Sequence, residues 1–574
     1  MNNSPLQSLK HGLKGYEPFV YPLGDLLDPI VGQPTPYGTP YYAYGQAVLA
    51  LEANEAERSH HLEQALLGVD ATLSYLKKPT PRPSSLSRDN GTVTDGQHLS
   101  LCWRPLVKTI LILDTLSPDQ SESLWQQIAS LGTQSIFDST PPNPVALAWI
   151  SGEWLRAQAD RTTLNVDQFD AWLGSYFEQH ILLEQGFFQA SGYDNAQDLL
   201  ARYYLAEILE HGYEGLWQSQ LESLMEIGFK RGLNLQLSNG ALASAKAGSG
   251  LTWTLSLQYA YFMKMYHYFQ QEGQSKLVNQ AHFAAERALM ALNRFERPDD
   301  TLSPIENIFP ASYRIGYEAD TLDGQAAPFT LSFLADAVQT SDISQPETPS
   351  IATIDSVTYI DQGPAPRVII HHRHYSLQAL AAPDQNYDGF GLVDLTFGAG
   401  KRFHFASSVR HTESNLLFNL GLALRSASGL SKLTSMAQES LSLLKPIERS
   451  TADASFILTA KSDGAPYTYE LMAQLHDDGA HIEERTPDHL SYKTLLIPYL
   501  RNGGWEETTQ VDITGSMIRF TLGHERVCME MYADVEYALH LPYGHESKRG
   551  HCGLIRIDLA GLREGISYRI VSEA

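Results

Sequence analysis

Basic residues are scarce in this chain: 41 Lys and Arg stand against 66 Asp and Glu, a formal charge of −25 over 574 residues. That balance excludes a protein whose main partner is a nucleic-acid backbone, which demands a positive surface. A single cleft can still carry a local positive field for an anionic ligand. Cysteine is rarer still. Cys102, Cys528 and Cys552 lie far apart and follow neither disulfide nor metal-ligand spacing. No apolar run approaches the length needed to cross a bilayer. The opening MNNSPLQSLKHGLKGYEPF lacks the basic start, apolar core and small-residue cleavage site of an export signal. The expected setting is the cytoplasm, or the periplasm where a leader has been removed, with no nucleic-acid and no membrane partner.

What is present is globular. Hydrophobic residues make up 43% and charged residues 19% of the chain, and its length calls for two or more domains. From Tyr37 to Arg297, stretches such as YYAYGQAVLALEA, PVALAWISGEWLRAQA and AQDLLARYYLAEILEHG carry apolar residues at spacings of three and four. Short Pro-, Gly-, Asn- and Asp-bearing breaks separate them, which predicts antiparallel helix pairs. From Ile351 the period becomes two, in runs such as SVTYID, GFGLVDLTFG and CGLIRIDLAG, which predicts many short strands and a β-sandwich. The expected fold class is α+β and multidomain. Residues 1–297 form an (α/α) toroid of antiparallel helix pairs, 298–350 an extended interdomain linker, and 351–574 an antiparallel β-sandwich.

The stretch EQGFFQASGYDN…ARYYLAEIL resembles the aromatic-rich "GY … Y" segment of toroid-type polysaccharide lyases, the heparinase and alginate-lyase group. SNGALASAKAGSGLTWTLSLQYAYF is similar, more loosely, to a segment of toroid glycoside hydrolases that include glucuronidases. The resemblance implies a carbohydrate-active enzyme that cleaves uronic-acid glycans by β-elimination, with an acidic glycan as its partner. The lack of an export signal favours small imported oligosaccharides and exo action. Two alternatives stay open: a glucuronidase-like hydrolase with paired carboxylates, and a non-catalytic glycan-binding protein.

Elimination needs a base for the weakly acidic proton beside the uronate carboxylate, an acid for the leaving oxygen, and donors that neutralise the carboxylate. Tyr193 lies in the loop before a predicted helix, with Asn195, Arg202 and Tyr204 close behind it. In SSLSRDNGTVTDGQHLSLCWRP, His98 opens another apolar helix, with Arg88 before it and Arg104 after it. Tyr193, His98 and His374 are the catalytic candidates. Asn195, Arg202, Tyr204, Arg88, Arg104, Trp253 and Arg314 are the substrate-binding candidates. Ordinary structure explains several of them equally well: Asn195 as a helix cap, Asp198 and Arg202 as an i,i+4 pair, and Trp253 as core.

In IIHHRHYS, strand alternation predicts His372 and His374 on one face. With Asp394 and His404 on neighbouring predicted strands, the four form a candidate metal set. Elimination requires no cofactor, so the expectation is a structural zinc or calcium ion in the β-half. A hydrolase would instead draw on Asp95, Asp194, Glu306 or Glu318.

Overall fold

The computed structural model describes residues 4–77, 95–131, 146–182, 187–188, 195–243, 250–318, 321–340, 354–361, 367–380, 391–398, 400–405, 420–425, 433–434, 441–442, 448–449, 454–462, 468–485, 493–533, 535–559 and 565–573. These fall into two compact units. The first holds 1–232, 252–304 and 318–348; the second holds 233–251, 305–317 and 349–574.

Unit 1 is helical. Its helices are α1 (Pro5–Tyr16), α2 (Thr39–Glu52), α3 (Glu55–Lys77), α4 (Asp95–Leu116), α5 (Pro118–Ala129), α6 (Ala146–Gln158), α7 (Val166–His180), α8 (Asn195–Glu210), α9 (Gln218–Leu235), α10 (Trp253–Gln271), α11 (Ser275–Leu292) and α12 (Asp323–Thr340). The even-numbered helices touch in sequence, α2–α4–α6–α8–α10–α12, and α12 returns to α2, so they close a ring. The odd-numbered helices lie outside it, with α3 against α2, α5 against α4 and α11 against α10. This is the toroid that the helical periodicity predicts.

Burial follows the same division. Every residue of α2 from Thr39 to Ala50 is buried, as is α10 from Trp253 to Met265. Outer α11 buries one stripe, Ala281, Ala284, Ala285, Ala288, Leu289, Ala291 and Leu292. A helix buried all round must sit among other helices, whereas a one-sided helix covers them. Inner α2 and α12 run in one direction. Tyr41 meets Phe329 near the start of α2 and α12, and Tyr44 meets Asp336 further along both. Short connections follow the inner helices, at 53–54, 117, 159–165, 211–217 and 272–274. Among the described residues, longer stretches precede α2 (17–38), α10 (236–243) and α12 (293–318).

Two helices lie outside the predicted helical span. α1 begins with a capping box between Ser4 and Gln7. α12 falls within 298–350, which composition marks as an extended linker; Asp323–Thr340 is instead a buried member of the ring. Its Pro328 cannot donate to the carbonyl of Gly324. The Thr35 hydroxyl donates to that carbonyl at 3.0 Å in its place.

Unit 2 is built of antiparallel strands. Ile354–Asp361, Arg367–Arg373, Tyr375–Leu380 and Gly391–Thr396 form one sheet in chain order. A second centres on Lys493–Asn502 between Gly550–Leu559 and Gly421–Arg425. The largest runs through Ser455–Ser462, Thr468–His476, Gly479–Arg485, Gly565–Glu573, Glu525–Met531 and Met517–Leu522. All three sheets supply one apolar cluster, with Phe397, Phe403, Phe405, Tyr499 and Phe520 in ring contact at its middle. Such a shared core between sheet faces is a sandwich.

The closure of α2 on α12 depends on Gly38. A Cβ there would lie 1.8 Å from the Gly324 carbonyl oxygen. Gly38→Ala is therefore expected to destabilise unit 1 by about 1–3 kcal/mol, as overpacking does. Urea unfolding measures this, and an unchanged midpoint contradicts the close approach.

Candidate functional site: the polar axis of the helical ring

Inside the ring, all six inner helices send polar side chains to one place. Arg104 and Lys108 of α4 lie i,i+4 on one face. The Arg104 guanidinium donates to Glu207 of α8 (Nε–Oε2 2.6 Å, Nη2–Oε1 2.7 Å) and to Asp336 of α12 (Nη2–Oδ2 2.6 Å). Lys108 joins the same two carboxylates, at 3.1 Å from Glu207 and in close contact with Asp336. Asp336 also accepts from the phenols of Tyr203 of α8 at 2.5 Å and Tyr44 of α2 at 2.7 Å. Ser151 of α6 donates to Glu207. Lys264 of α10 pairs with Glu210 and lies 5.2 Å from the Tyr203 ring centroid.

Three cations thus meet three carboxylates, and the cluster is neutral. Neutrality matters because Arg104 is 1% exposed, Glu207 0% and Asp336 2%. Buried charge persists only when paired and hydrogen-bonded. Burial alone would raise the pKa of Glu207 and Asp336. Arg104 and Lys108 outweigh it and hold both below the usual carboxylate range, Asp336 at about 2. Burial pushes the Tyr203 and Tyr44 phenols up, and Asp336 adds to the effect, so both keep their protons and act as donors.

The candidate residues are distributed differently from their sequence grouping. Tyr193 and Arg88 lie outside the described residues. His98 falls in the first turn of α4, and its side chain also lies outside them. Arg104 is at the centre of the axis and committed to its two carboxylates. Tyr204 is buried with its ring 5.5 Å from the Arg104 guanidinium. Arg202 does pair with Asp198, but inside the protein, and it also donates to the Leu224 carbonyl at 2.8 Å. Asn195 is the buried first residue of α8 and accepts from Arg231 at 3.1 Å. Trp253 packs against Phe329, at 5.7 Å between ring centroids. Arg314 sits beside Tyr317 in left-handed backbone, φ 51°.

The four metal candidates are not brought together. Arg373 adopts φ 53° and closes a tight hairpin turn with His374, so alternation ends there and His374 is exposed in the turn. His372 is engaged with Asp477 at 2.7 Å and Ser356 at 2.6 Å. Asp394 pairs with Arg549 at 2.9 Å. His404 lies in 401–405, which is not a strand, and is buried. Among the described residues no three His, Cys, Asp or Glu side chains converge as a metal-binding set.

The axis residues missed by sequence reasoning are Tyr44, Lys108, Ser151, Tyr203, Glu207, Glu210, Lys264 and Asp336. The trace of the charged ones was a charge within a largely apolar helix, as with the lone acid in PFTLSFLADAV; Tyr44, Ser151 and Tyr203 left none.

No family model and no curated protein matches the chain. Solved structures do. A glycosyl hydrolase family 88 protein from Bacteroides vulgatus aligns over 58% of this chain and 98% of its own, at 13% identity and TM-score 0.42. Heparinase III aligns over 91% and 93%, at 12% identity and TM-score 0.35. The heparan sulfate lyase HepC from Pedobacter heparinus aligns over 93% and 92%, at 10% identity and TM-score 0.34. The chain is thus structurally similar to toroid polysaccharide lyases and toroid glycoside hydrolases. At these scores the likeness assigns no residue a role, and the ring rests on its own contacts.

Removing one partner of a buried ion pair strands the other. Asp336→Asn is therefore expected to cost about 3–5 kcal/mol in chemical unfolding; a loss below that range would mean that the pair is solvated. Acid should act on the same groups. The folded pKa values lie below the unfolded ones, so this stabilisation is complete above the unfolded carboxylate pKa, about 4. It is lost as pH falls from there towards about 2. Thermal midpoints across that window should fall less steeply in Asp336→Asn than in the parent, and equal slopes contradict the assignment.

Proposed function

We propose that this protein is a carbohydrate-active enzyme that cleaves uronic-acid-containing oligosaccharides by β-elimination, acting from a chain end. The observation that carries the reading is the polarity of the ring. Inner α2 and α12 run the same way, and among the described residues the short connections follow inner helices while longer stretches such as 17–38 and 293–318 precede them. Long connections are where binding and catalytic groups concentrate. The N-terminal ends of aligned helices carry partial positive charge, which favours an anionic ligand such as a uronate even on a chain of net negative charge.

Tyr193, in the segment before α8, is the candidate base, and His98, in the first turn of α4, the candidate acid. The base takes the proton from the carbon beside the carboxylate. That electron pair forms the ring double bond, the bond to the leaving oxygen breaks, and the acid protonates that oxygen. Backbone N–H groups and cationic side chains at helix starts would stabilise the charge that develops on the carboxylate. The buried axis is a poor place for this step, because its cations are already matched by protein carboxylates.

Incubation with a panel of uronate oligosaccharides tests the proposal. A rise in ultraviolet absorbance from the conjugated unsaturated uronate is expected, and Tyr193→Phe should abolish it without changing the unfolding midpoint. Reducing sugar released with no such absorbance would contradict elimination and favour hydrolysis. An active Tyr193→Phe variant would remove that residue from the role of base.

A further inference from the structure

A cavity of about 660 Å³ opens on unit 2 where the hairpin 476–479 meets the end of Arg367–Arg373 and the strand Gly565–Glu573. His372, Asp477, Asp478, His481, Tyr532 and Arg569 line it. Its volume lies within the range of about 300–1,000 Å³ usual for small-molecule sites, but its walls are more polar than most.

The polar groups are already organised. Asp477 accepts from His372 at 2.7 Å and pairs with Arg373 at 3.0 Å. Arg569 pairs with Asp478. His481 lies 3.2 Å from the Ser567 hydroxyl and 3.4 Å from Glu483. Each carboxylate retains acceptor capacity beyond these bonds, because an ionised carboxylate offers about four lone-pair sites. Tyr532 and the buried Leu475 are the apolar members of the lining. Tyr532 is 51% exposed, and its ring lies 6.2 Å from that of His481, tilted by 36°.

We propose that this cavity is a saccharide-binding site: one pyranose stacks its C–H face on Tyr532, and its hydroxyls donate to Asp477 and Asp478. The opposed requirements of an apolar face and a rim of hydroxyls are met together by a sugar ring. They are not met by an inorganic anion, which has no apolar face and would meet two carboxylates. The site binds glycan and performs no chemistry on it. The inference rests on the reading of the protein as glycan-directed but not on elimination as its reaction.

Titration calorimetry of the full chain with uronate and neutral tetrasaccharides, compared with Tyr532→Ala and Asp478→Asn, tests it. Both substitutions are at exposed positions, and an unchanged thermal midpoint confirms that the fold is kept. Binding weakened about tenfold or more in both variants is expected. Equal binding in parent and variants overturns the site, as does absence of binding to either class of sugar. The two proposals fail separately. Elimination by the parent with variant-independent binding leaves the enzyme reading and removes this one. Tyr532-dependent binding without elimination does the reverse.

Discussion

The interaction on which the helical unit depends is the pairing of Arg104 with Glu207 and Asp336. It ties α4, α8 and α12, three helices at alternate positions of the six-membered ring. Through Tyr44, Ser151 and Lys264 the other three join the same network. A closed ring of inner helices has an axis that must be filled, and apolar side chains would fill it without fixing any one register. A charge network is different. Each member must find its partner or leave an uncompensated charge in low dielectric, so one arrangement of the six helices is selected.

The axis is self-satisfied, its three cations matched by three carboxylates. The side chains that hold the ring are spent on each other. At the helix starts the first backbone N–H groups are not consumed by the helix. Packing around the axis supports this arrangement at close range: α2 meets α12 through a glycine and Thr35, and the latter replaces the hydrogen bond that Pro328 cannot make.

Much of the architecture was legible in the sequence because it follows from local periodicity. Spacings of three and four marked the helices, and alternation marked the strands of the sandwich. The axis was not legible. Arg104 and Asp336 lie 232 positions apart, and no local pattern pairs them. α12 was hidden by its flanking Pro, Asp and Thr residues and by a proline whose lost bond is made good from another segment. The hairpin at Arg373 was hidden for a different reason: an arginine, with no glycine to signal it, occupies the left-handed turn position. The expected alignment of His372 with His374 ended at that turn, and His404, expected on a strand, lies outside one.

A double-mutant cycle between Arg104 and Asp336 tests the central claim most directly. Arg104→Met, Asp336→Leu and the double variant would be compared with the parent by urea unfolding. The account predicts that the two losses are far from additive, with a coupling of about 0.5–3 kcal/mol, because each single change leaves the buried network one charge out of balance and the double change restores neutrality. Additive losses would mean that the two residues do not act as a pair, and that the ring is held by its apolar packing alone.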